Sequence, residues 1–576
     1  MDSNDPEMIV LPKPFQKFFP ENFNKIQKQS FHDIWNTEYN LVVQAPTGSG
    51  KTVLAKLAFL KALLKPGKGI YVGPLRALND EKAKEFQEFA NYEWNVKTVL
   101  GGSYNSPKEL ESIDLLLTTP EKLLSLLYTL DLSSFSTIVI DEVHLLGEQK
   151  RGAYLEFVIM ELQRKYPAIR IVALSATIPN TLELSSWLQA TPLIFGQEYR
   201  STKLVVKVIS VEKNSSHLAK LVKGYQITKK FLPEQILLFS TSRANVQYYA
   251  KKMSEWLSRD STTSQNVETQ ETITYSNKCL TEFSSKGIAF YHAGLSENDK
   301  KFIIQNFLDQ RIKILITTSS LAWGINLPAK AVIIMDIEYS NPLIGKEPMS
   351  SADILQMLGR AGRPQFHTKG YGYILTNENQ NQKIENMLEG KNPIVSSMNE
   401  FLLELVLHFL ALEKASAFSK EELFEFFSKS FMIYTNFFQK DELEEELEKI
   451  LSSLEMYKLI ESSSESITIT KYGSITSRFF INPITTGNLL NIKPNKVDEI
   501  LPYLTEFQEL PVRKSEKKFL RSLGATPKTY QSFKLKYVIE AMEHEELLEP
   551  EFIQDGKVIY NEYLRIQSFY NFIKKI

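Results

Sequence analysis

Residues 44–52, Gln44-Ala45-Pro46-Thr47-Gly48-Ser49-Gly50-Lys51-Thr52, separate an apolar run at 39–43 from a helical run at 53–64. A strand that ends in a glycine-rich turn and feeds a helix aims successive backbone N–H groups, and the positive end of the helix dipole, at one spot. That spot suits a polyphosphate. Lys51 then reaches the β- and γ-phosphates, the Thr52 hydroxyl takes a position on Mg²⁺, and Gly48 and Gly50 admit the phosphates without a Cβ in the way. Thr47 and Ser49 complete the loop, and Ala45 stands where the usual pattern has its first glycine. The expected cofactors are ATP and Mg²⁺.

The bounds are set by length and composition. At 576 residues the chain exceeds one core and is expected to hold three or four domains. Hydrophobic residues make up 43% and charged residues 23%, and no apolar run approaches the length of a membrane span, which excludes a membrane protein. The acidic first ten residues lack the order of a signal peptide. Cys279 is the only cysteine, so a disulfide within the chain and a cysteine-held zinc or iron–sulfur site are excluded. An intracellular location is expected. With a formal net charge of −1, any surface for nucleic acid must be a local groove.

Around the phosphate loop the chain alternates strands and helices. Gln27, upstream of the loop, offers an amide to the edge of an adenine. A strand at 69–72 precedes GPLRAL (73–78), another at 115–117 leads into TTPEKL (118–123), and a third at 137–140 ends at Asp141-Glu142-Val143-His144. Such alternation argues for a parallel sheet covered on both faces, with its chemistry at the carboxyl ends of the strands. Asp141 would hold Mg²⁺, and Glu142 would orient and deprotonate the attacking water. A strand at 169–174 ends in Ser175-Ala176-Thr177, whose hydroxyls are expected to bond His144 or Asp141 and sense the γ-phosphate.

The ordered set APTGSGKT, GPLRAL, TTPEKL, DEVH and SAT resembles the first motor domain of a superfamily 2 helicase of the DExH type. The resemblance implies that Arg76 and Thr119 contact nucleic-acid phosphates, and such contacts carry little sequence information. A second series of strand–helix units starts at 235, without its own Gly-Lys-Thr, and would share the nucleotide of the first. The Ser/Thr/Gln-rich stretch 258–272 reads as a surface loop. Arg360 and Arg363, three apart in GRAGRP, are expected on one helical face, reaching across a cleft to the charge that develops on a transferred phosphoryl group.

FYHAGL (290–295), TTSSLAWGINLPA (317–329) and DILQMLGRAGRPQF (353–366) narrow the resemblance to the Ski-two-like branch. That branch includes archaeal fork-repair DNA helicases, meiotic crossover DNA helicases and the large spliceosomal RNA helicase. It implies Gly324 at the nucleotide, Ser240, Arg243 and Thr317 at the nucleic acid, and Gln356 with His144, Ser175 and Thr177 in coupling the two. It also implies a strand-separating β-hairpin, for which 336–350 is the candidate, with Leu343 or Ile344 at its tip.

From 396 the strands give way to helices at 398–412, 419–427 and 440–454. Residues 467–470 and 478–481 read as the two strands of a wing, and ITITKYGSITSRFFINPITT resembles the end of the branch's winged helix, which packs on the motor. The acidic run 441–448 is expected to face solvent, and a basic cluster at 513–521 has the same expectation. The expected fold is therefore α/β, with tandem RecA-like parallel-sheet domains at 1–200 and 201–395, a winged helix at 396–482 and a partial helical domain at 483–576. The implied activity is that of an ATP-dependent 3′–5′ helicase, expected as a monomer and acting on single-stranded and duplex nucleic acid, with DNA favoured. An RNA helicase that remodels ribonucleoproteins and an ATP-gated clamp that does not unwind remain alternatives.

Overall fold

The computed structural model describes residues 11–576 apart from 75, 102–105, 177, 201, 212–216, 260–273, 293, 320, 322–326, 328, 342–344, 363–366, 378–379, 389–392, 414–416, 436–437, 464–465, 509, 511, 545 and 550–551. The expected loop at 258–272 lies almost wholly outside these residues.

Seven strands form the first sheet: β1 (Asn40–Gln44), β2 (Lys68–Val72), β3 (Val96–Thr98), β4 (Leu115–Thr118), β5 (Phe135–Ile140), β6 (Arg170–Ser175) and β7 (Ala190–Ile194). Their spatial order is β3-β4-β2-β5-β6-β1-β7, with every pairing parallel. The central strands are short apolar runs such as LLLT and RIVALS, buried on both faces, because helices cover each side of a parallel sheet. On one face pack α1 (Lys25–Asn36), α2 (Lys51–Leu64) and α3 (Arg76–Phe86). Arg170 ties α1 to the sheet: its guanidinium donates to the carbonyls of Ile34 (2.7 Å), Asp33 (2.7 Å) and Tyr39 (3.0 Å), supplying donors to a helix end.

The second sheet is made of β8 (Lys203–Val211), β9 (Ile236–Ser240), β10 (Ile288–Tyr291), β11 (Ile314–Thr318) and β12 (Ala331–Ile334), then, after the antiparallel hairpin of β13 (Glu338–Asn341) and β14 (Gly345–Pro348), β15 (Lys369–Asn377). Its order is β10-β11-β9-β12-β15-β8, again all parallel. It encloses a hydrophobic core of its own. The hairpin occupies the expected stretch, and its tip at 342–344 lies outside the described residues.

Beyond the second sheet the chain returns to the first. The helix Leu402–Leu412, apolar on nearly all sides, joins Lys420–Phe427, Phe431–Tyr434 and Lys440–Met456 in a core continuous with that of the first domain. Tyr128 Oη lies 2.7 Å from His408 Nδ1, Ser477 Oγ lies 2.8 Å from the same nitrogen, and Trp187 Nε1 donates to the Lys429 carbonyl (2.8 Å). Burial pushes His408 down to about 3, so it is a neutral partner in this contact. One expected wing strand is corrected. Residues Ile460–Ser462 pair with Ile467–Ile469, whereas 478 ends a helix, Lys471–Arg478, that Thr470 caps through its hydroxyl, and 479–481 follow it. Beyond that helix Phe480 (φ 56°) adopts left-handed backbone, which an extended strand does not accept. Along Lys440–Met456 only Leu443 and Leu447 of the acidic run turn inward, and its carboxylates face outward. The last helices, to Ile573, surround a separate core and bury a Lys534–Glu516 ion pair at 2.9 Å.

Glu156, on the helix Gln149–Lys165, is fully buried where the first domain meets this returning segment. It accepts from Ser396 Oγ (2.6 Å) and from the Met432 amide (3.1 Å). Burial pushes its carboxyl up to about 7. A raised folded-state value means that stability is fully present below the ordinary glutamate range and is lost as pH rises to about 7. Urea unfolding should therefore show Glu156→Gln gaining on the native chain between pH 5 and pH 8 by roughly 2–3 kcal/mol. An equal difference at both pH values would remove the buried ionisation as the cause.

Candidate functional site

The phosphate loop sits between β1 and α2, where Gly48 (φ 78°) and Gly50 (φ 84°) adopt left-handed backbone that side chains disfavour. A Cβ on Gly48 would meet no atom within 4 Å, whereas one on Gly50 would lie 2.5 Å from Gln27 Nε2. Two side chains from the start of α1 hold the loop from behind. Asn24 Nδ2 donates to the Ser49 carbonyl (2.8 Å) and Gln27 Nε2 to that of Gly50 (3.3 Å). Gln27 Oε1 accepts from the Asn24 amide (3.0 Å), closing a capping box. Both ends of the Gln27 amide thus engage Asn24 and the loop in this structure.

Within the loop, Lys51 Nζ donates to the Ala45 carbonyl (3.2 Å) and stands 4.0 Å from Glu142 Oε2. Asp141 and Glu142 end β5 with little exposure to solvent. Glu142 has φ 52°, an uncommon backbone state for a side-chain-bearing residue, and its amide donates to Asp141 Oδ1 (3.0 Å). Tyr71 Oη donates to Asp141 Oδ2 (2.5 Å), which fixes that carboxylate. His144 Nδ1 stands 3.5 Å from Glu142 Oε2 and 3.5 Å from Ser175 Oγ. Burial and the adjacent Glu142 raise Asp141. Burial opposes ionisation of Glu142 as well, yet Lys51, His144 and Arg360 outweigh it and leave the group lowered. Burial also holds His144 below the usual histidine range.

Across the cleft lies the helix Ser351–Gly359. Thr47 Oγ1 donates to Gln356 Oε1 (3.3 Å), and a Cβ on Gly359 would sit 2.6 Å from Thr47 Cβ, so the loop and this helix touch where only glycine fits. Arg360 follows the helix. Burial pushes it down to about 10 against the attraction of Glu81 and Glu142, which leaves a cation facing the carboxylates at neutral pH. The expectation of two arginines on one helical face is corrected: the helix ends at Gly359, Ala361 pairs with Ala329, and Gly362 (φ 97°) turns the chain away. Arg363 lies outside the described residues, as do Gly324 and Thr177. From the segment between the sheets, Arg200 donates to the carbonyls of Gly359 (2.8 Å) and Ala361 (2.7 Å), fixing the backbone on both sides of Arg360.

This donor set fits a magnesium–nucleotide. The Ser49 Oγ and Glu142 Oε2 atoms are buried and find no hydrogen-bond partner among the described residues, and a Cβ on Gly48 would meet none of their atoms within 4 Å. Lys51 and the loop amides would hold the phosphates, and Thr52 with Asp141 would hold Mg²⁺.

Residues 24–185 match the model of the DEAD/DEAH box helicase family, and 217–365 match the helicase conserved C-terminal domain. The ATP-dependent DNA helicase Hel308 of Thermoplasma acidophilum is 30% identical over 481 residues, covering 82% of this chain and 70% of the relative. The chain belongs to the Ski2-like branch of superfamily 2 helicases. Its sheets are tandem RecA-like helicase domains of the ATP-hydrolysing kind. The ATP-dependent DNA helicase MER3 of Saccharomyces cerevisiae is 30% identical over 567 residues, 90% of this chain and 47% of the relative, so the helicase chain spans about half of that protein. Activating signal cointegrator 1 complex subunit 3 of Homo sapiens is 28% identical over 607 residues, 95% of this chain and 27% of the relative.

The helicase's expected nucleic-acid residues are scattered. Thr119 caps the helix Pro120–Leu127, accepting from the Lys122 amide (3.4 Å). Arg243 opens the helix Arg243–Arg259, half-buried, and Arg76 opens α3. Two hydroxyls expected at the groove lie at interior positions. Ser240 Oγ donates to Asp336 Oδ2 (2.7 Å) and Thr317 Oγ1 to the Thr318 carbonyl (3.1 Å), and both residues are fully buried. At a buried strand end a hydroxyl must find an internal acceptor, and these two do. Residues that sequence reasoning passed over also meet here: Tyr71, Lys82, Arg200 and Asn24. Only Asn24 carried a local signal, the N-x-x-Q spacing of a capping box.

With Glu142 as the base, Glu142→Gln should leave ATP binding intact and lower turnover by at least roughly a hundredfold in a steady-state phosphate-release assay. Turnover near that of the native chain would remove Glu142 from the role.

Proposed function

We propose that the chain is an ATP- and Mg²⁺-dependent helicase that moves 3′ to 5′ along DNA and serves repair or recombination. The observation that carries this reading is the cleft itself: Glu142 and Lys51 on one domain face Arg360 on the other, with Thr47 and Gln356 in contact across it. The DNA preference rests on the names of two relatives, the archaeal DNA helicase Hel308 and the yeast DNA helicase MER3.

Bound ATP with its divalent cation supplies the phosphoanhydride whose hydrolysis drives the cycle. Glu142 then takes a proton from the attacking water at its carboxylate, held below the ordinary range by the surrounding cations. Tyr71 keeps Asp141 oriented, and Arg360 meets the charge that develops on the γ-phosphoryl group. Since Arg360 comes from the second domain, charge on the nucleotide draws the two domains together, and hydrolysis weakens that attraction. Alternating closure shifts the grip of the two domains along one strand's phosphates, with the hairpin of β13 and β14 as the wedge. Arg76, Thr119 and Arg243 belong to that grip.

The test is steady-state ATPase activity of the purified chain, alone and with single-stranded DNA or RNA, each at two salt concentrations. DNA is expected to stimulate well above RNA, and the DNA concentration needed is expected to rise with salt because the grip is on phosphates. A 3′-tailed duplex should then be unwound and a 5′-tailed one left intact. Stronger stimulation by RNA would reassign the substrate, and stimulation by neither would leave an ATP-gated clamp.

A further inference from the structure

Lys82 is carried on α3, six residues after Arg76, and is almost wholly buried. Its Nζ donates to Thr52 Oγ1 (2.8 Å) and to Glu85 Oε1 (2.9 Å). Its charge also bears on Asp141 and Glu142. A cation bonded to the hydroxyl of Thr52, with its charge acting on Asp141, stands beside the oxygen that a phosphate-loop threonine offers to a divalent metal. Without such a cation, two adjacent buried carboxylates repel each other and resist ionisation.

We propose that Lys82 is a built-in counter-cation that holds the metal position of the nucleotide-free ATP site, and that Mg²⁺–nucleotide binds by displacing it. The proposal rests on the ATP-site reading above. Two cations drawn to the same oxygen, Thr52 Oγ1, repel each other at contact distance, so the two states alternate. Lys82 is therefore a positioning residue: it keeps Thr52 and the carboxylates arranged before the metal arrives. Its departure frees the middle of the same helix that Arg76 begins, which ties the filling of the ATP site to the residue placed at the nucleic acid.

The experiment compares ADP affinity in excess EDTA with ADP affinity in Mg²⁺, by fluorescence of a labelled ADP, for the native chain, Lys82→Met and Lys82→Arg. In EDTA the native lysine supplies positive charge beside the phosphates. Its loss should raise the ratio of the EDTA to the Mg²⁺ dissociation constants by roughly tenfold or more. Lys82→Arg retains the charge and should restore most of the native ratio. A ratio for Lys82→Met within about twofold of native overturns the proposal. Should that variant fail to fold, amine acetylation of the native chain read by mass spectrometry decides: Lys82 is expected to be protected in EDTA and labelled in Mg²⁺–ADP, and unchanged labelling overturns displacement. Failure of the native chain to bind ADP in Mg²⁺ would instead overturn the ATP-site reading itself.

Discussion

Two carboxylates at the end of one buried strand require positive charge around them, and the motor is arranged to deliver it. Asp141 and Glu142 have little contact with water, so each must be balanced by a cation, a hydrogen-bond donor or a proton. Lys51 comes from the phosphate loop, Lys82 from α3 and Arg360 from the second domain. Because these charges arrive on three different elements, the electrostatic state of one small volume depends on where those elements sit. A nucleotide that adds phosphates and a metal to that volume changes the balance for all of them.

The distribution of hydrophobic cores determines which pieces can respond. The segment 402–467 shares its core with the first domain, and buried contacts through Tyr128, His408 and Ser477 reinforce the junction. The second sheet has a core of its own. Relative movement of the two RecA-like domains therefore disturbs neither interior, whereas separating 402–467 from the first domain would expose apolar surface. Among the described residues, contacts that cross the cleft include a polar one, at Thr47 and Gln356, and a glycine-mediated one, at Gly359. Such a boundary suits repeated closure better than a packed one.

The fold was legible where composition itself carries the structure. Short apolar runs mark the parallel strands, and β1, β4, β5 and β6 lie within a residue or two of where those runs place them. The phosphate loop and the Asp141–Glu142 pair were readable because their spacing is local. Other features depended on backbone turns or on long side chains from afar. The helical period through 353–363 fails because the helix stops at Gly359 and Gly362 reverses the chain. Ser240 and Thr317 look like surface hydroxyls in sequence, yet internal acceptors take them. A wing strand at 478–481 looked plausible until Thr470 was seen to cap a helix in its path. Lys82 and Arg200 give no local signal of their place at the site, since Thr52 and the Gly359 and Ala361 carbonyls lie in other elements.

Arg200 shows why the segment joining the two domains matters to the chemistry. Its guanidinium is bound to the carbonyls on both sides of Arg360, and burial pushes it down to about 10, still well above neutrality. Both contacts are to backbone carbonyls, so they hold the path of the chain regardless of which side chains flank it. The joining segment thereby grips the turn that carries Arg360 at the cleft. If the segment bends as the cleft opens and closes, that turn must move with it or give up two charge-assisted hydrogen bonds at a buried site, a loss of roughly 3 kcal/mol or more. Keeping both bonds therefore requires Arg200, Gly359 and Ala361 to stay together.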